Sequence, residues 1–461
     1  MPIKQYTSLA YENLDEFVFG YAKNPIKLKN GMVIGGGKVY PELNFTLPPM
    51  AITKDTMSEV IMQYKGIIED ACKRAKELYL PGLVVEVELL PPTTYNPEWG
   101  IEITKTIRDV MYEYEAKYGL KSVMRITPVD IREDKQSPHM WHGSHWDAIM
   151  KTFEGCARAG ADLLSIESIG GKDLHDDAIM FCELDKSIFS LGVLGAMDMS
   201  KLWSEIKAIA DRTGTVAAGD TACGFANTAM VLADRGFVPK LFAAVVRAIS
   251  AVRSLVAIEE GAVGPHKDCG YEGVYIKAIT GIPISMEGKS SACAHLSPVG
   301  NIAACAADLW SNESVQNIKL LGGMAPTVSL EQIAYDCRLM NVASSKGPQK
   351  ALELRDWLAE SDRMFDPQAY ILSPEAVFQI SQAIIKENTY YNRAKAAAAT
   401  AISLLRKATE SKNIIVDERE ISWLDTMEFQ LDMLPDNEEE FIHDMVENNR
   451  SDKFVPEKYD I

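Results

Sequence analysis

Short apolar runs alternate along this chain with longer stretches whose apolar positions recur every three to four residues. Leu83-Val-Val-Glu-Val-Glu-Leu89 has the alternation of a strand and is followed by a helical pattern over 99–118. A second run at 121–126 precedes a helical stretch at 142–159, and a third at 161–167 is separated by a helix at 199–210 from a fourth at 215–218. Runs at 255–258, 283–286 and 315–321 continue the series, and Ala369-Tyr-Ile-Leu372 is read as the eighth. Strand-like runs alternating with helices predict βα units and a parallel sheet. Eight such units predict an α/β fold closed as a (β/α)8 TIM barrel rather than an open doubly wound sheet.

The flanks read differently. Residues 1–75 lack strong periodicity and carry Gly35-Gly-Gly37, Pro41 and Pro48-Pro49, which predicts an N-terminal extension packed on the barrel and ending in a helix over 54–79. The barrel is expected over 76–390 and a C-terminal helical region over 391–461. Ser373-Pro374 has the form of a helix cap followed by proline at the first helical position.

Composition narrows the function. Forty-seven basic against 65 acidic residues give a formal charge of −18, which argues against nucleic acid or an anionic membrane as a partner. The apolar stretch 241–258 is interrupted by Arg247 and Arg253 and is not expected to span a bilayer. Met1-Pro-Ile-Lys-Gln-Tyr6 lacks the apolar core of a signal peptide, and eight cysteines without paired spacing do not form a disulfide framework, so a cytoplasmic, reducing location is expected.

The candidate chemistry sits where the runs end. The third finishes on Glu167, the fourth leads through Asp220 to Cys223, and the apolar run 255–258, read as a strand, leads to Cys269 between Asp268 and Gly270. In a barrel the loops at the carboxyl ends of the strands converge on one face. A carboxylate and two thiols there form a three-ligand set with one open position, the pattern of a catalytic zinc, and thiolates select zinc over magnesium or calcium. A lone cysteine is otherwise a small buried hydrophobe, which is the reading preferred for Cys72, Cys156, Cys182, Cys305 and Cys337. On spacing alone both accounts stay open for Cys223 and Cys269. Cys293 with His295 is a rival ligand pair, and His139, His142 and His145, following Pro138, read as a solvated helix start. Gly288-Lys-Ser290 resembles the end of a phosphate loop, but Pro283 stands where its first glycine belongs.

Three stretches carry a resemblance. Gly160-Ala-Asp-Leu-Leu-Ser-Ile-Glu-Ser-Ile-Gly-Gly-Lys172, Ala218-Gly-Asp-Thr-Ala-Cys223 and Gly264-Pro-His-Lys-Asp-Cys-Gly-Tyr-Glu272 resemble the zinc-ligand segments of the methanol:corrinoid methyltransferases, the MtaB family of methanol-activating subunits. Further similar segments are Tyr6-Thr-Ser-Leu-Ala-Tyr-Glu-Asn13, Arg247-Ala-Ile-Ser-Ala-Val-Arg-Ser-Leu-Val256, Ala278-Ile-Thr-Gly-Ile-Pro283, Met286-Glu-Gly-Lys289 and Trp310-Ser-Asn-Glu-Ser-Val-Gln316. The resemblance implies a zinc-dependent barrel with metal ligands at Glu167, Cys223 and Cys269. It also implies a homodimer in which each subunit docks a small corrinoid-binding carrier protein, within a heterotetramer. The carrier motif Asp-x-His-x-x-Gly is absent, since Ala178 follows Asp173-Leu-His175 at the glycine position, which agrees with the corrinoid residing on a separate chain. Ala222 departs from the family pattern, where a polar residue is expected, but removes no ligand.

The implied reaction is transfer of the methyl group of methanol to Co(I), with Glu167 or Asp220 as candidates for the proton that the leaving oxygen needs. Three alternatives remain at this stage. One is a corrinoid methyltransferase of the same fold that takes methyl from a methoxylated compound or a methylamine. Another is a zinc hydrolase or lyase that needs no corrinoid. The third is a scaffold whose cysteines only fill the core.

Overall fold

The structure, a computed structural model, describes residues 3–47, 50–132, 139–315, 319–451 and 453–461. Seven strands form one parallel sheet: β1 (Tyr40–Thr46), β2 (Leu83–Leu89), β3 (Ser122–Pro128), β4 (Leu163–Ile166), β5 (Val216–Asp220), β6 (Ser285–Glu287) and β7 (Leu309–Val315). Their spatial order, β5-β4-β3-β2-β1-β7-β6, follows the chain around a curved, TIM-barrel-like sheet surrounded by helices. The gap between β5 and β6 is spanned by residues 263–266. Val263 N–H donates to the Ala217 carbonyl of β5 at 2.9 Å, while His266 accepts from Ser285 N–H at 2.9 Å and donates to Pro283 O at 3.0 Å. These few bonds give the stretch the eighth place in the ring, although it is too short, and broken by Gly264 and Pro265, to be a regular strand.

Beyond an apolar layer of Tyr40, Val84, Val123, Leu163 and Leu309 at the strand starts, the inward faces of the strands are polar. Arg125 of β3 pairs with Glu42 of β1 at 2.7 Å and donates to Ser165 of β4 at 2.7 Å and to the Pro265 carbonyl at 2.9 Å. Thr127 donates to Glu86 of β2 at 2.7 Å. The outward faces, with Val85, Val87, Met124 and Leu164 fully buried, pack under the helices. Polar groups inside and apolar groups outside explain why several strands read weakly.

Four expectations are corrected. β1 lies within 1–75, so that segment supplies a central barrel strand between β2 and β7 and is not only an extension. Its sequence, Tyr-Pro-Glu-Leu-Asn-Phe-Thr, hides the strand because Pro41 interrupts a short stretch in which polar Glu42 and Asn44 leave no continuous apolar run. The run 255–258 is not a strand but the last turn of the Lys240–Glu259 helix. All residues 241–258 of that helix are buried, so it has no polar face to display a 3.6-residue period, and a four-residue apolar piece of it is indistinguishable from a strand. The expected eighth strand at 369–372 is the Pro367–Ile371 helix, started by the Asp366 carboxylate accepting from Gln368 N–H. The seventh strand ends at Val315 rather than beginning there, and 316–318 lie outside the described residues. Ser311 and Asn312 broke its apolar pattern.

Other elements agree with expectation. Helices Met57–Glu77, Pro97–Tyr118, Ser144–Arg158 and Gly195–Thr213 cover the barrel, and Tyr390–Glu410, Glu418–Asp432 and Glu438–Asn449 form the C-terminal region. The Lys240–Glu259 helix is long and apolar enough to cross a membrane, but it is buried from Leu241 to Ile258 and packs against Tyr390–Glu410 and Cys223–Asp234.

Candidate metal centre

Three loops at the carboxyl ends of adjacent barrel positions bring Glu167, Cys223 and Cys269 together. Glu167 follows β4 directly, Cys223 opens the Cys223–Asp234 helix three residues after β5, and Cys269 lies three residues beyond the 263–266 segment. One ligand atom from each lies within 4.8 Å of the others. Cys269 Sγ donates to Glu167 Oε1 at 3.0 Å, and Asn227 Nδ2 approaches Cys223 Sγ at 3.6 Å. Glu167 keeps 37% of its side-chain surface exposed while Cys269 is buried, so the group opens on one side only.

Each loop is held by a separate anchor. Asp220 accepts from Ser168 N–H at 3.1 Å, Ser168 Oγ at 2.7 Å, Trp203 Nε1 at 2.9 Å and Thr221 N–H at 2.8 Å, with Arg253 at 3.7 Å. Both its oxygens are engaged and it is fully buried. In this arrangement the expected candidate acid fixes the turn after Glu167. Glu272 Oε1 accepts from Ala222 N–H at 2.6 Å and Ser254 Oγ at 2.7 Å, with His266 Nε2 at 3.4 Å, and so clamps the Cys223 turn to the Cys269 loop. Burial opposes its charge, yet the bonds from His266, Ser254 and Ala222 hold its carboxyl down to about 2. Only the backbone of Ala222 is used, which is why alanine is accepted there. Gly270 is required by close approach, since a Cβ would fall on the Glu272 carboxylate and the Thr221 hydroxyl.

Two arginines of the Lys240–Glu259 helix complete the scaffold. Arg253 donates to Ser168 O at 2.7 Å. Arg247 donates to Gly270 O and, at 3.2 Å, to Asn227 Oδ1. Lys267, also fully buried, ties the site to the barrel interior. Its ammonium lies 3.0 Å from Glu167 Oε1, 2.9 Å from Glu86, 3.2 Å from Glu88 and 3.1 Å from Asp268. Lys267, Glu86, Glu88, Glu272 and the two arginines were not singled out as site residues. The arginines left a signal, because charges inside an otherwise apolar helix require buried partners.

The donor chemistry fits a divalent cation. The hydrogen bond from Cys269 favours the Cys223 thiolate, but burial and the Glu167 and Glu287 carboxylates outweigh it and push that thiol up to about 12. Burial, Cys223 and Glu167 drive Cys269 well upward too. Two thiolates and a carboxylate cannot share so small a space as anions without a cation among them, and a soft divalent ion offsets that repulsion. Two other acidic groupings, Asp268–Cys269–Glu287 and Glu42–Glu86–Asp268, contain one thiol or none. The latter is already matched by Arg125 and Lys267.

The rival sites disperse. Cys293 is exposed on the Lys289–Ala294 helix and joins none of the metal-suited groups among the described residues. His139 stacks on His142 with ring centroids 3.6 Å apart and meets Asp460 at 3.0 Å, while His145 packs on Tyr95. Their helix starts at Ser144, and Pro138 lies outside the described residues. No disulfide joins the eight cysteines.

Comparison with known proteins gives three agreeing matches. The family model described as methanol-cobalamin methyltransferase B subunit, MtaB, matches residues 3–460. A methanol–corrinoid protein co-methyltransferase of Methanosarcina barkeri (strain Fusaro / DSM 804) is 39% identical over 466 residues, covering 100% of both chains. A chain in the crystal structure of the methanol:cobalamin methyltransferase complex MtaBC from Methanosarcina barkeri superposes with a TM-score of 0.94 at 38% identity, again over 100% of both chains.

Proposed function

Because the chain belongs to the methanol-cobalamin methyltransferase B subunit family and is a methyltransferase, we infer that it transfers the methyl group of methanol to Co(I) of a corrinoid held by a separate carrier protein, and that it does so with zinc at Glu167, Cys223 and Cys269. The observation that carries the metal assignment is the convergence of those three donor atoms within 4.8 Å at one barrel mouth. The carrier is supported by the full-length likeness to a chain of a two-component complex.

Hydroxide is a poor leaving group, and zinc, when bound, supplies Lewis acidity toward the methanol oxygen, worth several kcal/mol of charge stabilisation. The chain's own residues do the rest. Asp220 and Arg253 fix the turn bearing Glu167, Glu272 fixes the two thiol loops against each other, and Lys267 holds the Glu167 carboxylate from the interior side. The three donors are thereby fixed on the side where Glu167 opens to solvent, and a site held in this way would lower the barrier by removing orientational freedom. The chain is further proposed to act as a homodimer with one carrier docked per subunit, forming a heterotetramer. A reducing cytoplasm is in keeping with eight unpaired cysteines.

The test is methanol-dependent loss of the Co(I) absorbance of added cob(I)alamin, with metal-free and zinc-reconstituted protein side by side. Loss that requires both zinc and methanol is expected. Failure to bind zinc at all would overturn the assignment.

A further inference from the structure

The methyl transfer leaves one chemical requirement without a residue, a proton for the departing oxygen, and the carboxyls around Lys267 differ in their ability to meet it. Glu86, Asp268 and Glu272 are fully buried, and Thr127, Ser311 and Ser254 respectively donate to them. Asp220 has both oxygens engaged. Glu42 is locked to Arg125 in the barrel interior, and Glu287 is 1% exposed. Glu167 belongs to the metal set. Glu88 is different.

It projects inward from β2 into the mouth, and 26% of its side chain is exposed. Asn44 Nδ2 at 3.1 Å and Lys267 Nζ at 3.2 Å both hold Oε1. Among the described residues no group bonds Oε2. The same Lys267 ammonium lies 3.0 Å from Glu167 Oε1, so Glu88 stands one lysine away from the metal set. We propose that Glu88 is a catalytic residue, the acid that protonates the oxygen of methanol as its methyl group leaves.

The step balances. The carbon–oxygen bond of methanol breaks with its electron pair on oxygen, the Glu88 proton joins that oxygen, and water departs. The electron pair for the new cobalt–carbon bond comes from Co(I) of the carrier's corrinoid, and solvent reprotonates Glu88. Burial keeps the Glu88 carboxyl above the ordinary carboxylate range against the pull of Lys267, with Glu167 and Asp268 adding to the rise. A carboxyl that holds its proton more firmly than usual and keeps one oxygen exposed at the mouth is placed to donate.

The inference rests on the methanol reading, and the test separates the two. Full-length, zinc-loaded wild type, Glu88→Gln and Glu88→Ala are compared for methanol-dependent methylation of cob(I)alamin, with zinc content and thermal unfolding measured on each. Glu88→Gln keeps an acceptor for Asn44 and loses the proton, so kcat is expected to fall at least about 100-fold with KM for methanol and zinc content unchanged. In Glu88→Ala, added formate buffer is expected to restore rate in proportion to the concentration of its acid form, a rescue that a purely structural residue would not permit. Wild-type turnover with Glu88→Gln within threefold of it overturns this inference alone, as does loss of zinc from Glu88→Gln. A zinc-loaded wild type inert toward methanol overturns the methanol reading and this step together.

Discussion

Lys267 Nζ lies 3.0 Å from Glu167 Oε1, the same oxygen that accepts from Cys269 Sγ at 3.0 Å. The lysine is buried and the glutamate opens to the mouth, so one carboxylate joins the charged interior of the barrel to the metal set. Replacing Lys267 with methionine would strand four carboxylates around an apolar tip. We expect a loss of about 3–5 kcal/mol in stability and a fall of about 10–100-fold in zinc affinity. Chemical unfolding of the metal-free protein and competition with a chelator measure the two separately.

Cys223→Ala and Cys269→Ala should each abolish stoichiometric zinc and methyl transfer while leaving the helical content of the metal-free protein unchanged. Metal analysis beside far-ultraviolet circular dichroism checks this, and retained zinc with full turnover in either variant would refute the ligand assignment.

Asp220→Ala removes the acceptor for Ser168, Thr221 and Trp203 and leaves Arg253 buried without its carboxylate. The expected cost is about 3–5 kcal/mol. Asp220→Asn keeps one acceptor oxygen and should cost less. If Asp220 only positions Glu167, Asp220→Asn loaded with excess zinc should recover most of the wild-type rate in a direct assay. An unrecoverable loss at full zinc occupancy would assign Asp220 to the chemistry itself.

His175 is fully buried, neither ring nitrogen has a hydrogen-bond partner among the described residues, and it packs on Phe225 near Lys172 and Arg253. Burial, with those two cations, pulls its pKa from 6.5 to about 3. The folded state therefore binds this proton less readily than the unfolded chain does. The contribution to stability is complete above pH 6.5 and is lost as pH falls towards 3, by up to about 1.4 kcal/mol per unit. His175→Phe should flatten that part of the stability–pH curve, as denaturant midpoints between pH 4 and 7 would reveal.

Much of the barrel was legible because β2, β3, β4 and β5 are apolar on their outer faces and separated by amphipathic helices. β1 and β7 were obscured because Glu42, Asn44 and Ser311 face the barrel interior, and Asn312 on the outer face breaks the apolar run of β7 further. The 255–258 stretch misled in the opposite way, being so uniformly buried that a helix left no periodic trace. Glu167, Cys223 and Cys269 could be named from their places after successive runs. Cys269 lies beside the other two even though the run ahead of it is helical, because 263–266 fills the eighth place in the ring.

By itself, then, the sequence determined the kind of fold and the family resemblance, since local pattern and residue type carry that information, and through the resemblance it named three candidate donors. What only the tertiary structure decided is which charges serve them. Asp220 turned out to be spent on Ser168 and Trp203, and Glu88, 79 positions from Glu167 in the chain, came to share its lysine. Such pairings are set by which inward-facing positions meet across the curved sheet, a relation between strands that no one-dimensional pattern records.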